Sequence, residues 1–337
     1  MPTIHDIAKE LNITASTVSR ALKDHPRISE TTKKAVLKVA KKLNYQPNHL
    51  AAALRNGKSK IIGIIVPTID RSFFGSIIRG FEEVANKAHY NVLICQSHDN
   101  YESEVATVEA LLNSRVDGII ASFAKGTENF DHYSKAKTSG IPVVLFDRAN
   151  ADLDVSHVVI DNHLGGYKAV EHLIQQGCKR IAHITSNKKI SIYKERLRGY
   201  REALENHGIP FEKELVVEGD LQFEDGRIAM EKLLSLNPIP DAVFSASAYG
   251  AVGAMEVLKE RGISVPDQVC IVGFDNEAFT RFSEPAVSTV DQQSRQIGIA
   301  AAEIFLEQIN LKNEKFVPKK IVLTPELIIR KSSLRKK

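Results

Sequence analysis

Cysteine is scarce in this sequence: Cys95, Cys178 and Cys270 are the only thiols among 337 residues. They are odd in number, widely spaced and set in apolar runs, and no C-x-x-C pair occurs. That excludes a disulfide framework and leaves no spacing suited to a zinc or thiol-redox site, so the expected state is buried and reduced. Long apolar runs are missing too. No stretch approaches 18 apolar residues, and MPTIHDIAKE at the N-terminus is no signal segment. The expectation is a soluble, cytoplasmic chain with no membrane partner. Catalytic signatures are also absent: G-x-x-x-x-G-K-[ST], G-x-G-x-x-G, H-E-x-x-H and G-x-S-x-G do not occur. The expectation is therefore a protein that is not an enzyme and uses no metal or cofactor.

What is present is an uneven charge. The whole chain carries a formal +4, but residues 1–60 hold twelve Lys/Arg against four Asp/Glu, a net of +8, while the remaining 277 residues carry −4. A basic head on an acidic body points to a polyanionic partner for the head alone. The composition is otherwise ordinary, 43% hydrophobic and 26% charged, and the length allows two or three domains.

Residues 1–46 predict three helices. Thr3 caps the first with Asp6 as its capping-box partner, and Ile4, Ile7, Ala8 and Leu11 share one face. Asn12-Ile13 makes a tight turn, and Thr14 caps a second helix whose apolar face is Val18, Ala21 and Leu22. Ser29 caps the third, with Val36, Val39, Ala40 and Leu43 inward and Lys33, Lys34, Lys38, Lys41 and Lys42 on the outer faces. This is the pattern of a helix-turn-helix, which sets its second helix in the major groove of DNA. Pro47 forbids continuation of the third helix, and Asn48 caps a seven-residue segment, His49 to Arg55, that is too short to hold itself helical in water. Residues 47–60 therefore predict a conditional hinge helix and linker.

From Ile61 the pattern changes. Apolar, β-rich runs at 61–66, 92–95, 118–121, 141–146, 157–160, 180–184, 215–217, 241–244 and 269–274 alternate with helical segments. That predicts parallel sheets flanked by helices, in two lobes rather than one. The expected lobes are 61–161 with about 291–325, and 162–290 with about 326–337, their strands' carboxyl ends facing each other across a ligand cleft.

TIHDIAKELNITASTVSRAL followed by YQPNHLAAALR, with VDGIIA, IPVVLFDR, VVIDN, RLRGYREAL, VPDQVCIVGFDN and STVDQ in the body, closely resembles the LacI/GalR family of bacterial transcription regulators. The resemblance spans residues 2–330. It implies an all-α helix-turn-helix headpiece joined to a two-lobed α/β body like periplasmic sugar-binding proteins. It further implies a homodimer, a palindromic operator in double-stranded DNA and a small-molecule effector. The expected function is a repressor of carbohydrate-use genes, with a sugar or sugar derivative as effector. The alternative is a regulator of purine or central metabolism that uses a nucleobase or protein co-effector.

Candidate residues come from chemistry and resemblance together. Ser16 and Arg20 share the outward face of the second helix, where an arginine can read guanine O6 and N7 in bidentate fashion. Ala15 offers a methyl contact, and Thr17, Ser19 and Tyr45 suit phosphate oxygens. The family pattern places base contacts at Ala15, Ser16 and Arg20. Thr3 and Arg55 complete the DNA set, and the resemblance makes Leu54, which shares a face with Leu50, a minor-groove wedge. For the effector the candidates are Phe73, Phe74, Arg148, Asp161, Arg196, Tyr249 and Asp275, mostly at strand ends. Ala248 stands where the family often has an acidic side chain, which leaves Tyr249 or Ser247 to compensate.

Overall fold

The structure, a computed structural model, describes residues 2–45, 58–149, 153–186, 190–311 and 316–335. The predicted hinge helix, with Leu50, Leu54 and Arg55, lies outside the described residues. The chain divides into two compact units, one up to residue 59 and one from residue 60 onward.

In the first unit, helices α1 (Ile4–Leu11), α2 (Ala15–Leu22) and α3 (Glu30–Lys42) pack around a small core. The Asp6 carboxylate accepts from the Thr3 N–H at 2.7 Å and the Thr3 hydroxyl at 2.9 Å, tying off the start of α1. Asn12 turns the chain with a left-handed φ of 51°, a conformation asparagine tolerates better than most residues. The Thr14 hydroxyl caps α2 by accepting from the Thr17 N–H at 3.2 Å, and Ser29 caps α3 through Thr32 in the same way. Ile7, Val18 and Val36 are fully buried at the centre. Lys33 departs from the expected solvated face. Its side chain is almost buried, because its ammonium bridges Asp24 at 2.6 Å and Glu30 at 2.7 Å and lays its stem along the helix.

The body runs β1 (Ile61–Val66), α4 (Ser72–Lys87), β2 (Asn91–Gln96), α5 (Tyr101–Asn113), β3 (Gly118–Ala121), α6 (Asp131–Thr138), β4 (Val143–Phe146) and β5 (Ser156–Ile160). It continues α7 (Asn162–Gln175), β6 (Ile181–Thr185), α8 (Ser191–Asn206), β7 (Val216–Glu218), α9 (Phe223–Leu234), β8 (Ala242–Ser245), α10 (Ala248–Glu260) and β9 (Cys270–Phe274). It closes with β10 (Ser288–Asp291), α11 (Ser294–Asn310), β11 (Lys320–Leu323) and β12 (Glu326–Ile328).

These strands form two six-stranded sheets with matching architecture, in the orders β11-β5-β4-β3-β1-β2 and β12-β10-β9-β8-β6-β7. Among the described residues every pairing is parallel except β10 with β12. The central strands are buried along most of their length, as parallel strands covered by helices on both faces must be. The chain crosses between sheets after β5, after β10 and after β11. The strands β10 (STVD) and β12 (ELI) are short and carry polar residues, so neither shows a continuous apolar run in the sequence.

Glycine pairs set the helix crossings. On α4 and α11, a Cβ at Gly80 would lie 2.1 Å from the Arg295 carbonyl oxygen, and one at Gly298 would lie 2.0 Å from that of Ile77. Gly166 with Gly199 and Gly226 with Gly253 do the same where α7 meets α8 and α9 meets α10. Backbones at such spacing leave no room for a methyl group. Among the described residues no helix is long and apolar enough to cross a membrane.

Candidate functional site

In the first unit, α2 presents two faces. Val18 is fully buried and Arg20 is exposed, so the guanidinium projects from the side opposite the core. Ser16 and Thr3 are exposed as well, while Ala15, Thr17, Ser19 and Tyr45 are half-buried. The Thr14, Ser16 and Thr17 hydroxyls already form a cluster at the start of α2, at 2.8 and 2.9 Å. Ala15 and Tyr45 pack partly against the headpiece core, which leaves only part of each available to a partner.

The body holds a cavity of about 400 Å³ between its lobes. It is built where the carboxyl ends of both sheets converge, the general location of ligand sites in such folds. Arg196 organises the wall contributed by the second sheet. It is 2% exposed, and its guanidinium donates to Asn162 Oδ1 at 2.9 Å, the Ala246 carbonyl at 2.7 Å and Gln292 Oε1 at 3.3 Å. It also stacks 3.6 Å from the Phe274 ring centroid and lies 3.6 Å from Asp275 Oδ1. Asp275 comes directly after β9 with a φ of 80° and accepts from Gln292 Nε2 at 2.7 Å. Arg196 sits in the second turn of α8 rather than at its start, because the helix begins at Ser191.

The first sheet contributes Asp147 and Arg148, directly after β4. Arg148 donates to Asp99 and, at 3.0 Å, to the Phe123 carbonyl, while the Ser122 hydroxyl donates to Asp147 at 3.2 Å. Phe73 and Phe74, from the first turn of α4, meet edge to face with centroids 5.0 Å apart on the same wall. Tyr249 lies beneath the Arg71 guanidinium, 4.4 Å from ring centroid to cation. Ser247 caps α10 by accepting from the Gly250 N–H at 3.2 Å.

Burial governs the electrostatics. It pushes the Asp275 carboxyl up to about 6 despite the pull of Arg196 and Arg71, and it raises Asp147 despite Arg148 and Arg196. It also lowers Arg196, with Asp275 opposing that drop. Among the described lining residues, four cations (Arg71, Lys125, Arg148, Arg196) face six carboxylates (Asp70, Asp99, Asp147, Asp220, Asp275, Glu277). The wall is thus a dense set of paired donors and acceptors with an acidic excess and four aromatic rings, Phe73, Phe74, Tyr193 and Tyr249.

The cavity brings together Phe73, Phe74, Arg148, Arg196, Tyr249 and Asp275. Asp161 is elsewhere: its carboxylate accepts from the Leu164 N–H at 2.8 Å as the cap of α7, and it lines a different recess. Residues not singled out from the sequence are Asp147, Gln292, Arg71, Tyr193 and Glu277. Asp147 was within reach of the strand-end rule, being adjacent to Arg148. Gln292 lies just past β10, whose STVD sequence shows no apolar run. Glu277 owes its place to a contact across 205 positions, which no local pattern shows.

Residues 3–48 match the family model described as bacterial regulatory proteins of the lacI family, and residues 59–331 match that of periplasmic binding proteins and the sugar-binding domain of the LacI family. The HTH-type transcriptional repressor PurR of Actinobacillus pleuropneumoniae serotype 3 (strain JL03) is 33% identical, covering 98% of both chains. A transcriptional regulator CelR–cellobiose complex is 28% identical with a TM-score of 0.75, covering 98% of this chain and 100% of that one. The lac repressor dimer bound to operator and an anti-inducer is 22% identical with a TM-score of 0.87, covering 99% of each, a likeness of fold.

Proposed function

Because this chain belongs to the LacI family of bacterial regulatory proteins, and is a DNA-binding transcriptional repressor and not an enzyme, we propose that it represses carbohydrate-use genes under the control of a sugar bound in the inter-lobe cavity. The observation that carries this reading is the buried Arg196–Asp275–Gln292 network facing Asp147 and Arg148. Sugar hydroxyls pair as both donors and acceptors, and this wall offers both, held rigid by burial. The rings of Phe73, Phe74, Tyr193 and Tyr249 suit the C–H face of a pyranose. The regulator CelR, of similar fold over the whole chain, is described as a cellobiose complex, which supports the same ligand class here.

On the DNA side, Arg20 reads a base, Ser16 and Ala15 contribute shorter contacts, and Thr3, Thr17, Ser19, Tyr45 and Arg55 hold the backbone. The protein acts in the cytoplasm as a homodimer on a palindromic operator, as the lac repressor structure's dimer does on its operator. Leu50 and Leu54 of paired hinge segments enter the minor groove, with Leu54 as the wedge. Effector binding alters the lobe arrangement and so the spacing at which the hinges fold on DNA.

A thermal-shift screen of neutral sugars and purines, with and without operator DNA, tests this. A sugar should raise the melting temperature, because a ligand that binds only the folded state stabilises it, and should change operator affinity. A shift produced by purines and by no sugar overturns the carbohydrate reading.

A further inference from the structure

The first turn of a helix leaves backbone N–H groups without partners inside the helix. Helix α4 begins at Ser72 beside the cavity, and its own sequence supplies no cap. Arg71 precedes it and makes no capping bond, and the first turn holds no acidic residue. The acceptor comes from the other lobe. Glu277 takes hydrogen bonds from the Ser72 N–H at 3.1 Å, the Phe73 N–H at 3.4 Å and the Ser72 hydroxyl. It is 3% exposed and lines the same cavity as Asp275 and Tyr249.

We propose that Glu277 is a built-in anion that sets the charge preference of the cleft, holding the α4 terminus where a ligand's phosphate or carboxylate would otherwise bind and so restricting the effector to uncharged molecules. This deepens the sugar reading above and rests on the same cavity. A helix N-terminus carries about half a positive charge and readily binds anions. Here two amides, a hydroxyl and the nearby Arg71 guanidinium, which also donates to Gln222 at 3.0 Å, form such a site, and Glu277 fills it. A phosphorylated ligand would have to displace that carboxylate and leave it buried beside a second negative charge, which is costly in a poorly solvated cavity. Neutral hydroxyls meet no such obstacle. Because Ser72 and Glu277 belong to opposite lobes, the same bonds tie the lobes together at the cavity edge.

The test is isothermal titration of the full chain with matched pairs: neutral hexoses and disaccharides against their 6-phosphates, and, as the nucleobase pairs, nucleosides against their 5′-monophosphates. Inorganic phosphate serves as a bare probe. The parent should prefer the uncharged member of whichever pair it binds by at least tenfold. Glu277→Gln, nearly isosteric, removes the negative charge and leaves one amide oxygen in place of two carboxylate oxygens, so it should cut that preference at least tenfold and acquire phosphate binding. Glu83→Gln removes a carboxylate of α4 that pairs with Arg295 and is not part of the cavity lining, and should retain the parent's preference. A parent that favours the phosphorylated member overturns the inference, and that result stands even if Glu277→Gln does not fold. So does a folded Glu277→Gln variant with an unchanged ratio. Binding confined to the nucleobase pairs defeats the sugar reading instead, while the charge preference is still measured.

Discussion

In the headpiece, Arg20 and Ser16 stand exposed on a helix whose opposite face buries Val18 completely. In the body, Arg196 and Gln292 reach the cleft from almost complete burial, at 2% and 3% exposure. The exposed arginine is solvated until a partner arrives, so its energy appears only on binding. The buried one must be satisfied in the fold itself, through Asn162, Ala246, Gln292 and Asp275, before any ligand enters. On the function proposed above, the DNA-reading surface can therefore be changed with little effect on stability, whereas the groups proposed to recognise the effector are also part of the core.

The sharpest way to break that contrast is Arg196→Ala. Removing one partner of a buried ion pair leaves the other uncompensated, so the body should lose about 3–5 kcal/mol of stability along with its effector response. Denaturant unfolding and effector titration measure the two. A loss below about 1 kcal/mol with effector binding intact would show that Arg196 is not the organising group.

Next in size, and opposite in sign, is Asp275→Asn. A carboxyl raised to about 6 in the folded state stabilises the fold below about pH 4 and loses that contribution as pH rises through about 6. Asparagine does not ionise. The variant should therefore gain on the parent by up to about 3 kcal/mol between pH 4 and pH 7 while losing its effector response. His183, buried and pushed down to about 4, titrates over an overlapping range with the opposite sign. The difference between variant and parent is thus the quantity to track. Equal pH profiles would show that Asp275 is ionised at no cost.

On the headpiece side, Arg20→Ala should weaken operator binding by about 1–3 kcal/mol and relax base preference at one position per half-site. Stability should be unchanged, which is where it parts from Arg196→Ala. Selection sequencing that returns the parent's binding motif would defeat the assignment. Smallest is Thr14→Ala, which removes the α2 cap and should cost the headpiece about 1 kcal/mol. The melting of the headpiece should drop slightly, with effector binding untouched; a change in effector affinity would contradict the separation of the two sites.

Much of the fold was legible because it is written in local patterns. Thr3, Thr14 and Ser29 announce helix starts by their capping chemistry, and runs such as IIGIIV announce buried parallel strands. Helix faces spaced by 3.6 residues place Val18 inward and Arg20 outward without further information. Lys33 escapes that pattern because its burial depends on Asp24 and Glu30 together, a combination periodicity does not register. Of the cleft, the sequence revealed the side chains that sit just past a recognisable strand: Phe73 and Phe74 after β1, Arg148 after β4, Asp275 after β9. The same rule pointed to Asp161, whose carboxylate is taken by the helix it caps.

The sequence by itself determined the order of helices and strands, the basic head on an acidic body, and the outward arginine of the second helix. Each depends on residues within a turn or a strand of one another. Only the tertiary structure decided which strand ends share a cavity, that Gln292 and Asp147 join Arg196 there, and that Glu277 caps a helix of the opposite lobe. These are contacts between residues dozens to hundreds of positions apart. They come from how two sheets and their glycine-tight helix crossings pack, and no periodicity in the chain encodes them.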